Sequence, residues 1–187
     1  MAMPSQELVR EFVLAGHGNL EKIKAMLAER PELLEAKFLE NDESALEAAS
    51  HVGNRAIAEY LLGQGAGLNI YTAAMLGMKP AVIAVLRADP GAGKRPGVHG
   101  LSALFHAAIG GNTEIADMLY AVSADEKMEP ILHGAVASRN PEMVRWALAQ
   151  RPDVDAKRFD GKTPLQVGQQ TGNEEIVRLL REAGAAE

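Results

Sequence analysis

The sequence predicts an all-α fold, an α-solenoid of six helix-turn-helix repeats with short β-hairpin or loop fingers. Two observations predict it. A helix of small residues, a tight turn and an apolar-periodic helix recur, and the turn falls at residues 18, 53, 77, 111, 139 and 172. Apolar residues recur at i and i+4 in the second helices, which gives each of these helices one stripe to bury. A unit of about thirty residues cannot cover such a stripe alone, so neighbouring units must stack.

The turn between the two helices of a repeat has its own sequence signature. It reads Gly-Asn at 18, 53, 111 and 172, with weaker copies at Gly77-Met78 and Arg139-Asn140. An Asn at this position predicts an N-cap, because its side-chain oxygen can accept from the first free N–H groups of the second helix. Pro141 fits the first position of such a helix.

The ends of the second helices alternate along the chain. Pro31, Pro90 and Pro152 each stand thirteen residues after an odd-numbered turn, whereas Gly65 and Gly184 stand twelve residues after an even-numbered one. Proline and glycine both end helices. The spacing leaves room for three β-hairpin fingers, at 35–43, 92–101 and 154–162, and only short connections at 65–69 and 121–129. We call these the first, second and third fingers.

The glycines of the turns should tolerate substitution less well than those of the fingers. We expect bulky residues at Gly53 or Gly111 to be more harmful than the same residues at Gly93, in the second finger.

The last repeat carries the most specific motif. It reads DGKTPLQ at 160–166 and GNEEIVRLL at 172–180. This pattern resembles the ankyrin repeat family, and weaker copies extend the resemblance over nearly the whole chain. The resemblance implies one domain over 1–187, with repeats at about 5–37, 38–66, 67–95, 96–124, 125–155 and 156–187. It also implies that His133, in the T-P-L-H position, makes structural hydrogen bonds. His106 falls where the family has an apolar residue, which favours a partly buried imidazole with its hydrogen bonds satisfied.

Ankyrin repeat proteins usually hold a protein partner on their concave side, against the finger tips and the exposed edges of the first helices. Carried over residue by residue, the resemblance implies two sets of partner-binding candidates. The first set, at the ends of first helices, is His51, Val52, Met75, Leu76, Ile109, Ser138 and Gln170. The second set, in the fingers, is Val98, His99, Leu101, Arg158, Phe159 and Lys162.

Four of these candidates, Val52, Met75, Leu76 and Ile109, would form an apolar run across three successive repeats. Exposed apolar patches of that extent often mark an interaction site. The alternative is that the short connections draw repeats two to four together and bury the run as core.

Signatures of catalysis and of metal binding are missing from the sequence. Cysteine is absent, and the five histidines show no H-E-x-x-H motif or i, i+4 pair. Gly100-Leu101-Ser102 lacks the second glycine of a nucleophile elbow. We therefore predict no enzyme activity, no cofactor and no metal, and a scaffold or adaptor for a protein partner. The alternative function is a regulatory or small-ligand-binding subunit associated with an enzyme.

Charge and hydropathy narrow the partners and the location. The formal net charge of −6 disfavours non-specific binding to phosphate backbones. The sequence has no secretory signal pattern and no run of 18 uncharged apolar residues. We predict a cytoplasmic protein, favoured as a monomer, that binds neither nucleic acid nor membrane.

Overall fold

The computed structural model describes residues 4–123 and 125–186. Within these residues, twelve α-helices follow one another as six consecutive pairs, which confirms the all-α solenoid. Their bounds are α1 (Gln6–Gly16), α2 (Leu20–Glu29), α3 (Ala45–His51), α4 (Arg55–Gly63), α5 (Ile70–Leu76), α6 (Lys79–Ala88), α7 (Ala103–Ile109), α8 (Thr113–Tyr120), α9 (Met128–Ala137), α10 (Pro141–Ala149), α11 (Pro164–Thr171) and α12 (Glu174–Glu182). The first helix of each pair packs against the first helix of the next pair, so the pairs stack in sequence order.

The three fingers differ from one another. Strands β1 (Lys37–Phe38) and β2 (Glu43–Ser44) make the first finger an antiparallel hairpin, as predicted, with Lys37 opposite Ser44. The prediction of strands in the second and third fingers is wrong. The second finger runs through 3-10 turns at Pro90–Gly93 and Val98–Gly100, because prolines and closely spaced glycines there do not sustain a strand ladder. In the third finger, the Asp153 side chain accepts from the backbone N–H of Asp155 and turns the chain early.

Four of the five turn asparagines cap the helix that follows them, as predicted, and the exception is Asn112 in the fourth repeat. The side chains of Asn19, Asn54, Asn140 and Asn173 accept hydrogen bonds from the first turns of their helices. The side chain of Asn112 does not cap α8. It donates instead to the backbone carbonyls of residues 74 and 75, at 2.9 and 3.0 Å, near the end of α5 in the preceding repeat.

This second role of the turn asparagine is shared by later repeats. The Nδ2 group of Asn140 donates to the carbonyl of Gly111 at 3.0 Å, and that of Asn173 donates to the carbonyl of Arg139 at 3.3 Å. Each of these carbonyls lies in the turn of the preceding repeat. The turn asparagine therefore joins adjacent repeats, which the capping rule alone does not predict.

We expect Asn140→Asp to lower the free energy of unfolding by about 1–2 kcal/mol, as measured by urea denaturation. An aspartate can still accept from the N–H of Glu142, but it cannot donate to the carbonyl of Gly111. Asn19→Asp is the matched control, because Asn19 caps α2 and, among the described residues, its side chain makes no hydrogen bond to another repeat. An equal effect of the two substitutions would contradict the inter-repeat role.

The buried side chains form two clusters, one along the first two helix pairs and one along the last four. Met75 and Leu76 of α5 join the first cluster, and the partly buried Ile109 packs against it. Met75 is 1% exposed and Leu76 is 9% exposed, so the first of the two interpretations, an exposed apolar run, does not hold for these residues. Val52, at 39%, is the member of that run that is exposed.

The physical reason is the close approach of α5 and α7. A Cβ atom built on Gly110, just after α7, would lie only 2.1 Å from the carbonyl oxygen of Met75. At this distance the next repeat covers the side chains at the end of α5. The alternative, in which repeats two to four are drawn together, therefore describes this part of the chain.

The expectation for Gly93 also needs correction. Gly93 is buried, and a Cβ atom there would lie 2.8 Å from Cγ2 of Val122 and 3.2 Å from Cδ2 of Leu86. Gly53 and Gly111 do have the predicted left-handed backbone, with φ near +72°. A side chain is therefore poorly accommodated at all three positions, and Gly93 is not a permissive one.

None of the described helices has both the length and the apolar character needed to cross a membrane.

Candidate functional site

The third finger presents the most exposed of the predicted partner-binding residues. Phe159 is 98% exposed at its tip. The backbone N–H of Arg158 donates to the carbonyl of Lys162 at 3.0 Å, and the N–H of Gly161 donates to the carbonyl of Arg158 at 2.8 Å. A tight turn with two backbone hydrogen bonds thus holds an aromatic ring out in solvent.

Charged side chains brace the same turn. The guanidinium of Arg158 donates to both carboxylate oxygens of Asp160, at 2.8 and 2.7 Å, and lies 5.6 Å from the centroid of the Phe159 ring. The hydrogen bonds from Arg158 hold the pKa of Asp160 well below its usual range. The pair remains charged at neutral pH, and it orients both the turn and the aromatic ring.

The third finger also contacts the end of its repeat's first helix. The ammonium group of Lys162 donates to Oε1 of Gln170 at 3.0 Å. A shallow depression beside this contact is lined by Lys162, Gln166, Gln169 and Gln170. The structure therefore brings Arg158, Phe159, Lys162 and Gln170 together as one continuous surface.

The second group of predicted residues meets around Glu43, in β2 of the first finger. The imidazole of His51, at the end of α3, packs edge to face on that of His99 in the second finger, with ring centroids 5.1 Å apart. Nδ1 of His51 lies 3.1 Å from Oε1 of Glu43, and Nε2 of His99 lies 3.4 Å from the same oxygen. Two candidates from separate repeats thus share one buried carboxylate.

Glu43 is only 2% exposed. Burial by itself raises the pKa of Glu43, but His51, Asn41 and His99 together lower the pKa by more, so the net shift is downward. Glu43 is therefore a carboxylate at neutral pH.

The remaining candidates are dispersed. Val98 and Leu101 are half-buried at the base of the second finger, and Ser138 donates to the backbone carbonyl of Ala135. Met75, Leu76 and Ile109 belong to the core, as described above. Among the described residues, no hydrogen bond, ion pair or ring contact joins these side chains to Phe159 or to Glu43.

His17 and Glu43 are functional candidates that the sequence reasoning missed. Among the described residues, His17, Glu43 and His51 form a group whose potential ligand atoms all lie within 4.8 Å of one another. The one usable signal was that His17 and His51 are 34 residues apart, the length of one repeat. The backbone N–H of Asn19 donates to the carbonyl of Ala15, four residues earlier, whereas that of Asn54 donates to the carbonyl of Ala49, five residues earlier. The first turn is therefore one residue shorter than the second. Residues counted back from the turn are offset by one, so His17 and His51 were not recognised as equivalent.

Comparisons with known proteins bear on the fold and the family. Residues 70–158 match the family model described as ankyrin repeats, in three copies. An ankyrin repeat domain from Acinetobacter baumannii superposes with a TM-score of 0.51 at 24% identity, covering 94% of this chain and 98% of that one. A segment of 51 residues is 43% identical to part of a potassium channel, AKT1, of Arabidopsis thaliana. That segment is 27% of this chain and 6% of the channel.

Proposed function

Because the chain belongs to the ankyrin repeat family, whose repeats are in general protein–protein interaction modules, we propose that it is a scaffold that binds a protein partner. The partner lies on the concave side, against the fingers and the first helices, and the third finger is its main contact. The chain acts in the cytoplasm. It acts by binding its partner, without catalysis and without a cofactor. The chain binds its partner as a monomer.

The observation that carries the proposal is the exposure of Phe159 on a braced turn. Burying a phenylalanine side chain stabilises a complex by roughly 1.5–3 kcal/mol, and a rigid turn reduces the entropy lost when the contact forms. Aromatic anchors flanked by arginine and polar residues are typical of binding hot spots. Phe159 has these surroundings in Arg158, Lys162 and Gln170.

The surface also indicates the chemistry of the partner. Phe159 needs an apolar pocket, and the amide groups of Gln166, Gln169 and Gln170 around the depression need hydrogen-bonding groups at the rim of that pocket. Arg158 donates two hydrogen bonds to Asp160, whereas Lys162 lies 3.7 Å from Asp160 and donates to Gln170, so the ammonium group of Lys162 keeps a donor for a carboxylate of the partner.

The test is photo-crosslinking from position 159, followed by affinity measurement. Benzoylphenylalanine at 159 should crosslink one protein of the source organism, identified by mass spectrometry. The same probe at Ala84, an exposed residue of the second helix α6, should not. Phe159→Ala should then weaken binding of the purified partner by about tenfold or more in calorimetry. Equal affinity of wild type and Phe159→Ala would contradict the proposed surface.

A further inference from the structure

Three side chains with ligand chemistry converge where the first two repeats meet. His17 follows α1, Glu43 lies in β2 and His51 ends α3. Their potential ligand atoms lie within 4.8 Å of one another. Imidazole nitrogens and a carboxylate oxygen are ligands that Zn²⁺ and related transition metals prefer.

Each of the three side chains has a buried atom that lacks a hydrogen-bond partner. Oε1 of Glu43, Nδ1 of His51 and Nδ1 of His17 are all buried and make no hydrogen bond. Oε1 of Glu43 and Nδ1 of His51 are 3.1 Å apart, but their orientation does not make a hydrogen bond. Leaving a buried polar atom unpaired costs about 1–3 kcal/mol, so three together need a physical explanation.

A metal ion accounts for all three atoms at once. Ligands bind Zn²⁺ at about 2.0–2.2 Å, and two ligands of a tetrahedral ion are therefore roughly 3.3 Å apart. The separation of 3.1 Å between Glu43 and His51 is close to that value. A cation would also compensate the charge of a carboxylate that is 2% exposed.

Neighbouring groups hold these side chains in place. The second oxygen of Glu43, Oε2, accepts from Nδ2 of Asn41 at 2.8 Å, which leaves Oε1 directed at the histidines. The imidazoles of His17 and His51 pack edge to face, with centroids 5.0 Å apart. Hydrogen bonds and ring contacts of this kind orient the ligands in metal sites.

We propose that His17, Glu43 and His51 bind one divalent transition-metal ion, with Zn²⁺ as the best match. The ion joins the first repeat to the second. The three side chains leave a fourth position for water or for His99, whose Nε2 lies 3.4 Å from Oε1 of Glu43. Because metal affinity adds to the stability of the folded state alone, bound Zn²⁺ raises the unfolding midpoint of the chain.

The test uses the full chain stripped with a chelator and titrated with Zn²⁺ alone in a calorimeter. We expect one equivalent to bind and the thermal midpoint to rise. Glu43→Gln, which keeps the size of the side chain, should weaken binding by about tenfold or more. Glu40→Gln, in the exposed part of the same finger, is the matched control and should bind as wild type does.

A second readout needs no substitution and does not depend on how the variants fold. In NMR spectra of the wild-type chain, Zn²⁺ should shift the imidazole resonances of His17 and His51 and leave those of His133 unchanged. The proposal would be overturned if the wild-type chain bound Zn²⁺ no more tightly than Glu43→Gln does. It would also be overturned if the imidazole resonances that shift belonged only to other histidines.

Discussion

Gly110→Ala should lower the free energy of unfolding by about 3 kcal/mol or more, although it adds a single methyl group. The added Cβ would lie 2.1 Å from the carbonyl oxygen of Met75 and 2.6 Å from Nδ2 of Asn112. Both contacts are far inside van der Waals separation. The Met75 carbonyl belongs to the backbone of the neighbouring repeat, so relief requires α5 and α7 to move apart.

That movement would disrupt more than one interaction. Asn112 could no longer donate to the carbonyls of Ala74 and Met75, and Ile109 would lose packing against the cluster that contains Met75. Because stability in a stacked array depends on each interface between neighbours, weakening the middle interface should also broaden the unfolding transition.

Urea denaturation of Gly110→Ala and Gly18→Ala measures this effect against a matched control. Gly18 lies in the turn between α1 and α2, and a Cβ atom there meets nothing within 4 Å. Neither glycine has a positive φ, so both substitutions test space and not backbone strain. We expect Gly18→Ala to stay within about 0.5 kcal/mol of wild type. A similarly small effect of Gly110→Ala would contradict the close contact of α5 and α7.

The sequence predicted the parts of the fold that depend on local interactions. Helix pairs, asparagine caps and helix-ending prolines each follow from a few neighbouring residues. Pro31 and Pro90 indeed begin 3-10 turns just after α2 and α6. The hydrogen bond from His133 to the carbonyl of Ala156, at 2.8 Å, confirms the structural role that the family resemblance implied.

Features that depend on how closely two repeats approach were not predictable in this way. Other repeats have Val52, Leu76 or Ser138 where the fourth has Gly110, so the motif does not show that a glycine is required there. The burial of Met75 follows from that contact, and for the same reason the sequence left open whether Met75 is exposed or buried. The His17, Glu43 and His51 group was missed because its members meet only when the repeats stack.

His106 should make the chain lose stability as the pH falls from about 6.5 towards 4. This histidine is 3% exposed within α7, and its Nδ1 donates to the carbonyl of Ser102 at 2.7 Å. Burial is the main cause that lowers the pKa of His106 from 6.5 to about 4. The electrostatic effect of nearby His51 lowers the pKa further. The hydrogen bond to Ser102 raises the pKa, but by less than burial lowers it.

The sign follows from proton binding. Well above pH 6.5 the imidazole is neutral in both states and contributes no pH dependence. Between pH 6.5 and 4 the unfolded chain binds a proton that the folded chain does not, so stability falls through this range. For these two pKa values the loss is about 2 kcal/mol at pH 5.

His106→Leu isolates this contribution, because leucine cannot titrate. Leucine also matches the apolar residue that the ankyrin pattern has at this position. Urea denaturation at pH 7.5 and pH 5 should show that the variant loses about 2 kcal/mol less than wild type between the two conditions. The comparison between variants is needed because burial also lowers the pKa of His133, which acts in the same direction. Equal losses in wild type and variant would mean that His106 accepts a proton in the folded chain, and that α7 is less tightly packed around it than its 3% exposure indicates.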